Sequence, residues 1–482
     1  MLPGCRGWWW QRWRWNNGLH RWLYSDSGLH GRSHGNTGLH GRHQCEQGLY
    51  CWNSSRLECF MKQRQAGRLI GEILSGSVMA EAARMPLSPA EGESLADWAV
   101  YFNVAGLLYR ELKSPAEFIP THARNRLRDA YRHNAILNTA FFGDAAKVIK
   151  VLADHDIPVI ALKGYALAKS LYGDLGLRPM SDLDFLVKEE HLVQAGRLLM
   201  AHGYTPACAT WDGAVKAHHH LPPFTNPRGT RIELHWALVD PGSPIHIDGD
   251  GLWERSVLVQ EGDVEFRVLS PEDTCLHLCI HAALHLQTGL GLMPLCDIAG
   301  LIRTSAGALD WQVLSARAAQ WNSGRCVYLT LLMVREWSRV SAPEDRLHAM
   351  RPDDFRTAYL KAAMEQILEV RPSGQLVGVR ISLQKLDHVN GIRGKVRALV
   401  RYAWPEKEEL ARQYAVSRSS PKIYLCYARR TGHLLVYGAR MLPLLFRRDQ
   451  SLVKGVCLVY RGTAVSNWML PQRECPELKP GE

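Results

Sequence analysis

Across 482 residues the sequence contains no uninterrupted apolar run near the roughly 18 residues that a membrane-spanning helix requires, so no transmembrane segment is expected. Regular cysteine spacing is also missing. The 12 cysteines are scattered, and Cys208, Cys275, Cys279, Cys296, Cys326 and Cys426 sit in apolar surroundings, where a free thiol behaves as a small hydrophobe. That pattern argues against a disulfide-stapled secreted scaffold and for a reducing, cytoplasmic compartment. Residues 1–60 have no clean apolar h-region and do not read as a signal peptide. Acidic residues run short in one place: between Gly391 and Tyr460 there are four, against fourteen lysines and arginines, so most of the formal +11 lies toward the C-terminal end.

The hydrophobic fraction of 46% is ordinary for a folded soluble protein, and the length implies two or three folded regions. Residues 1–60 are peculiar in a different way. Gly18-Leu-His20, Gly28-Leu-His30, Gly38-Leu-His40 and Gly48-Leu-Tyr50 recur with a period of ten amid many tryptophans. The units carry too few aliphatic residues to stack into a core. We read this stretch as a low-complexity extension, expected from translation that starts upstream of Met61, Met79 or Met85; a histidine-rich metal-binding tail ranks below that reading.

The most informative motif is Asp182-Leu183-Asp184. If residues 183–187 form a strand, Asp182 and Asp184 share one face while Leu183, Phe185 and Val187 fill the other. Two carboxylates on a rigid edge suit a hard divalent cation, which takes oxygen ligands from one or two carboxylates and from substrate phosphates. Acidic pairs are common on solvated surfaces, so the setting has to carry the argument. Residues 159–162 read as a short buried strand, Lys163-Gly164 as a tight turn, residues 165–172 as a helix, and Gly173 to Gly176 as its terminator. Strand, turn, helix and acidic strand are the parts of a phosphate-handling site. In Arg231-Ile-Glu-Leu-His-Trp236, alternation puts Ile232, Leu234 and Trp236 on one face and Arg231, Glu233 and His235 on the other, so Glu233 can add a third carboxylate from a neighbouring strand. The plainer alternative pairs Glu233 with Arg231.

These stretches together carry a resemblance. Leu-Lys-Gly-Tyr-Ala-Leu (162–167), Leu-Tyr-Gly-Asp (171–174), Arg178, Ser-Asp-Leu-Asp-Phe-Leu-Val (181–187), His-Gly-Tyr (202–204) and Ile-Glu-Leu-His-Trp (232–236) resemble the largely uncharacterised bacterial nucleotidyltransferases of the DNA polymerase beta superfamily. Leu-Ser-Pro-Glu-Asp-Thr (269–274), His-Ala-Ala-Leu-His (281–285) and Leu-Cys-Asp-Ile (295–298) are similar to that family's helical region. The likeness runs from about Asp97 to about Tyr427, and the order and spacing of the motifs carry it, since no single one is specific.

The resemblance implies an α+β fold: a polymerase beta-like core with a small mixed sheet flanked by helices, preceded by N-terminal helices and followed by a helical C-terminal region. It implies a metal-dependent enzyme that moves a nucleoside monophosphate from a nucleoside triphosphate, ATP first among them, to the hydroxyl of a small-molecule, peptide or protein acceptor. Pyrophosphate is released. Mg²⁺, or Mn²⁺ in its place, is the implied cofactor. Asp182 and Asp184 would be the metal pair and Glu233 the third acidic residue, sharing a metal or accepting the proton of the attacking hydroxyl. Lys163, Gly164, Arg178 and Ser181 would face the nucleotide. Where the superfamily has a second glycine or a serine beside its glycine, this chain has Lys163, which can reach a triphosphate as a point charge.

The expected division is a low-complexity extension at 1–60, N-terminal helices at 61–155, a catalytic core at 156–270, a helical region at 271–385 and a basic C-terminal region at 386–482. Helical periodicity is expected over 95–112, 124–153 and 189–202, and a hairpin over 257–269. His277, His281 and His285 form one helical stripe and Cys275 and Cys279 another. Buried histidines that hydrogen-bond Asp297 or line the acceptor pocket are favoured over a zinc site, whose ligands usually come from separate segments. His218-His219-His220 reads as a loop leading into the Glu233 strand, with His219 or His220 able to touch nucleotide or acceptor. The basic C-terminal stretch reads first as a solvated face. Its functional rival is a surface for an anionic partner, whether nucleic acid, lipid or phosphorylated substrate. That rival frames the second function class, a catalytically weak binding protein that keeps the fold.

Overall fold

A computed structural model describes residues 63–76, 86–113, 118–207, 211, 218–286, 291–305 and 309–368, together with 400, 404–407, 410, 420–432, 434 and 450–470. The repeat extension, its alternative starts Met61, Met79 and Met85, the thiol of Cys208 and most of the basic stretch 391–460 lie outside the described residues.

Among the described residues, four helices come first: α1 (Gln63–Leu74), α2 (Pro89–Tyr101), α3 (Ala105–Glu111) and the 33-residue α4 (Thr121–Ala153). The catalytic-core elements are β1 (Ile160–Ala161), α5 (Lys163–Ser170), β2 (Leu183–Leu186), α6 (Glu189–Ala201), β3 (Thr205–Pro206), β4 (Phe224–Thr225), β5 (Arg231–His235), α7 (Gly249–Arg255), β6 (Val257–Glu261) and β7 (Val264–Val268). A helical layer follows, with α8 (Pro271–Leu284), α9 (Met293–Thr304), α10 (Trp311–Gln320), α11 (Gly324–Ser338), α12 (Glu344–Ala349), α13 (Thr357–Leu368) and α14 (Gln450–Met469). No helix among the described residues is long and apolar enough to cross a membrane.

The strands make one mixed sheet in the order β3-β4-β5-β2-β1-β7-β6. The pairs β2–β5 and β1–β7 are parallel and the other pairs antiparallel. All four residues of β2 are buried, because both faces of the central strands are covered. On one side α4 contributes Phe142, Ala145, Val148, Ile149 and Leu152, which join Tyr165, Leu183, Phe185, Ile232 and Leu234 in one apolar cluster. The Phe142 and Tyr165 rings lie 4.5 Å apart between centroids, and Tyr165 sits edge-on to Phe185 at 6.0 Å. This is the α+β architecture expected: a small mixed sheet flanked by helices.

A second core joins segments far apart in sequence. Ala66, Ile70 and Ile73 of α1 pack in the same buried cluster as Leu329 and Val334 of α11, Ala363 and Leu368 of α13, and Val465 and Trp468 near the end of α14. Trp337 Nε1 donates to the Gly67 carbonyl at 2.9 Å, and a Cβ on Gly71 would come within 2.6 Å of the Trp337 carbonyl oxygen. The N-terminal helices and the region from 271 onward therefore share one interior.

Local signals set the helix ends. Ser88 and Glu91 form a capping box around Pro89 at the start of α2, and the Ser270 hydroxyl accepts the Asp273 N–H at the start of α8. Two boundaries differ from expectation. The helix expected over 95–112 is split into α2 and α3 at Asn103, whose φ of 63° breaks the right-handed ladder at a residue type that tolerates it. The helix expected to begin at Tyr165 begins at Lys163, in the left-handed region with φ 45°. Helices α4 and α6 and the β6–β7 hairpin fall within a few residues of the expected spans, and the hairpin turns at Gly262 with φ 57°.

Candidate active site

Parallel pairing of β2 with β5 sets Asp184 opposite Glu233 and Leu186 opposite His235. With alternating side chains, Asp184, Glu233 and His235 share one face of the sheet, while Leu183, Phe185, Ile232 and Leu234 fill the apolar cluster on the other. The three polar residues are 4%, 2% and 2% exposed, values that charged groups reach only when paired or ligating. One donor atom from each lies within 4.8 Å of the others.

Lys163 completes this group from the first residue of α5, just beyond the neighbouring strand β1. The Leu162 N–H donates to the Asp184 carbonyl at 3.0 Å, which holds the end of β1 against β2. The left-handed backbone at Lys163 then turns the chain into α5. A non-glycine residue in that region stores conformational strain of order 1 kcal/mol, held by surrounding structure. Its Nζ donates to Asp184 Oδ1 at 2.9 Å, and His235 Nε2 lies 3.0 Å from the same oxygen. His235 Nε2 is also 3.8 Å from Glu233 Oε2, and Arg231 Nη2 is 3.4 Å from Glu233 Oε1. The Arg231–Glu233 pair that the plainer reading required is thus present, alongside the acidic cluster. Burial alone would raise the Asp184 carboxyl, but the Lys163 ammonium and the His235 hydrogen bond hold it well below the usual carboxylate range. Burial drives His235 well below the ordinary imidazole value, so it stands neutral beside an ionised Asp184.

The remaining sequence-derived residues surround this centre. Arg178 forms a two-pronged ion pair with Asp297 of α9, Nε to Oδ1 at 3.0 Å and Nη2 to Oδ2 at 2.8 Å. Tyr172 donates to Asp297 Oδ1 at 2.7 Å. Gly164 lies under Arg178 and Met180: a Cβ there would meet Arg178 Nη1 at 2.7 Å and the Met180 side chain at 3.0 Å, so a larger residue would have to displace these side chains. Asp182 is half-buried just before β2 and accepts the Ser181 hydroxyl at 3.1 Å; it stands outside the group made by Asp184, Glu233 and His235.

Histidines crowd the same neighbourhood. The His219 N–H and ring both bond Asp240, and the rings of His219 and His220 lie 5.3 and 5.1 Å from that of His235. On α8, His277 is buried, His281 is half-buried and His285 caps the helix, with ring separations of 6.2 and 4.5 Å along the stripe. Burial, aided by the nearby Lys163 charge, pushes His277 down to about 3. Among the described residues, Asp297 accepts from Arg178 and Tyr172 and not from these histidines, so the expected bond to Asp297 is replaced by that pair. The stripe does not gather three metal-ligating groups, and Asp184, Glu233 and His235 make the one such group among the described residues. His235 was the residue sequence reasoning passed over. Its signal was present, since it alternates with Glu233 on the polar face of the same strand.

Two carboxylates and an imidazole, with a lysine resting on one carboxylate in the manner of a counter-cation, form a donor set suited to a divalent cation. No curated protein and no solved structure matches this chain. A sequence profile described as "Uncharacterised nucleotidyltransferase" does match, over residues 88–339, just over half of the chain, from the capping box of α2 to the last turn of α11. With Asp184, Glu233, Lys163 and Gly164 all inside that span, the chain belongs to this nucleotidyltransferase family.

Proposed function

We propose that the protein transfers a nucleoside monophosphate from a nucleoside triphosphate, ATP first, to an acceptor hydroxyl on a small molecule, peptide or protein, with release of pyrophosphate. The observation that carries this reading is the register of Asp184 against Glu233, which places two buried carboxylates side by side with a lysine between them and the turn into α5. A divalent cation, Mg²⁺ or Mn²⁺, would supply charge stabilisation at the attacking and leaving oxygens. Asp184 and Asp182 are the ligands offered from the β2 side and Glu233 from β5.

The chain's own groups have separate tasks. Lys163 holds Asp184 ionised and has a flexible stem that lets its ammonium turn to the triphosphate as a point charge. Glu233, with one oxygen near Arg231 and the other toward His235, is the carboxylate available to take the acceptor's proton. His235 orients Asp184 through Nε2. Arg178 is committed to Asp297, so its part is to fix the turn over Gly164, and Ser181 orients Asp182.

The test is incubation of the purified protein with labelled ATP, GTP, CTP or UTP, divalent cation and cell extract, following where label moves. Label carried to an acceptor by wild type and lost in Asp184→Ala supports the reading. An Asp184→Ala protein that modified its acceptor as well as wild type would refute it.

A further inference from the structure

The centre of this site is not made of oxygen alone. His235 is almost fully buried, its Nε2 stands 3.0 Å from Asp184 Oδ1 and 3.8 Å from Glu233 Oε2, and its Nδ1 has no hydrogen-bond partner in the protein. The nitrogen that faces both carboxylates is Nε2, so it is the ring atom that a cation held between them would meet. Around a cation with bonds of about 2.1 Å, neighbouring ligand atoms of an octahedron stand about 3.0 Å apart. The His235 nitrogen and Asp184 Oδ1 are spaced on that scale, with Glu233 Oε2 3.8 Å from the nitrogen. The ammonium of Lys163, 2.9 Å from Asp184 Oδ1, supplies positive charge at the same spot.

The donor chemistry discriminates among cations. Mg²⁺ favours all-oxygen surroundings and gives up water reluctantly, whereas imidazole suits zinc, copper, iron and nickel; Mn²⁺, which takes oxygen ligands much as Mg²⁺ does, is the stringent probe of a nitrogen ligand. His219 and His220 add further imidazoles next to His235, their rings 5.3 and 5.1 Å from its own.

We propose that the Asp184–Glu233–His235 cluster is a mixed nitrogen–oxygen site that selects a transition-series divalent cation over Mg²⁺, with His235 Nε2 as a direct ligand. In that state the proton now on Nε2 resides on Nδ1, and Lys163 leaves Asp184 to the metal. The proposal rests on the nucleotidyltransferase reading for its setting and adds the identity of the ion and of one ligand.

The probe is Mn²⁺, with Mg²⁺ as competitor, on the full-length protein labelled with ¹⁵N-histidine. Pulsed electron paramagnetic resonance of the Mn²⁺ complex is expected to show a directly bound ¹⁵N, and equilibrium dialysis to show Mn²⁺ retained against a large excess of Mg²⁺. His235→Gln should lose the nitrogen coupling and weaken Mn²⁺ binding at least tenfold, while Mg²⁺ binding changes far less. Absence of ¹⁵N coupling in wild type, or its persistence in a folded His235→Gln, overturns the assignment; if that variant does not fold, the wild-type spectrum and competition decide. Because the readout is binding, its outcome is separable from the transfer assay. Absence of label transfer with the nitrogen signal intact defeats the enzymatic reading alone, and transfer without that signal defeats only the ion assignment.

Discussion

Arg178 and Asp297 lock the segment before β2 to helix α9 through paired hydrogen bonds of 3.0 and 2.8 Å, with both side chains withdrawn from solvent. Burial works against the charge on Arg178, and the Asp297 carboxylate more than offsets it. Removing one partner of such a pair leaves the other as an uncompensated buried charge. Asp297→Ala should therefore lower stability by about 3–5 kcal/mol, read as a reduced midpoint in urea unfolding. Arg178→Lys, which keeps the charge but loses the fork, should fall between that variant and wild type.

Asp184→Asn keeps the shape of the side chain and removes its charge. Nucleotidyl transfer should drop by about 100-fold or more, because preorganised electrostatic groups at such sites carry effects of that size. Far-ultraviolet circular dichroism should remain that of wild type. A variant retaining more than a tenth of the wild-type rate would assign the chemistry elsewhere.

Lys163→Met removes the ammonium that neutralises Asp184. The variant should lose stability relative to wild type, and added Mn²⁺ should raise its melting temperature more than it raises that of wild type, since the ion then replaces a missing charge. Equal shifts in the two proteins would show that lysine and metal do not share the position.

Buried His277 binds its proton only near pH 3, whereas an exposed imidazole does so near 6.5. In the window between those values the unfolded chain holds a proton that the native chain does not. The stability His277 contributes is therefore complete above about pH 6.5 and is lost progressively as pH falls toward 3, at up to about 1.4 kcal/mol per pH unit. His235 and His281, also depressed, add in the same direction. Urea unfolding at pH 7.5 and pH 5.5 should show the lower midpoint at pH 5.5, and His277→Gln should flatten the difference.

Gly106 of α3 approaches the chain near the site so closely that a Cβ would stand 2.2 Å from the Gly176 carbonyl oxygen and 3.0 Å from Leu177 Cα. Backbone cannot yield as a flexible side chain does. Gly106→Ala should cost about 1–3 kcal/mol and, by displacing the segment that carries Arg178, reduce transfer as well. An unchanged melting temperature would contradict this.

What the sequence disclosed follows from how local each feature is. Alternation along β2 and β5 put Asp184 and Glu233 on polar faces, and the glycine at 262 marked the turn of the β6–β7 hairpin, whereas the start of α2 at Pro89 lay six residues before the expected 95. The same alternation held His235 in view, though nothing in one strand reveals that its ring lands on Asp184 of another. Partners of Arg178 and Lys163 stand 119 and 21 residues away, set by packing that periodicity does not encode. Asn103 split a helix whose apolar spacing continues across it, because hydrophobic period reports a buried face without reporting a change of axis. Asp182 shows the converse: its place in the motif was plain, yet β2 begins one residue later and the cluster forms around Asp184.

The indole of Trp337 closes onto Gly67, a carbonyl 270 residues earlier in the chain. During synthesis α1 therefore emerges long before the segment that covers it, and its apolar side must wait for α11 to be made. Contacts of such separation form slowly and leave sticky surface open in the meantime. The sheet, whose strands lie within about a hundred residues of one another, can assemble ahead of that closure, so nascent chains halted before α11 should engage chaperones through α1 while already carrying a paired β2 and β5.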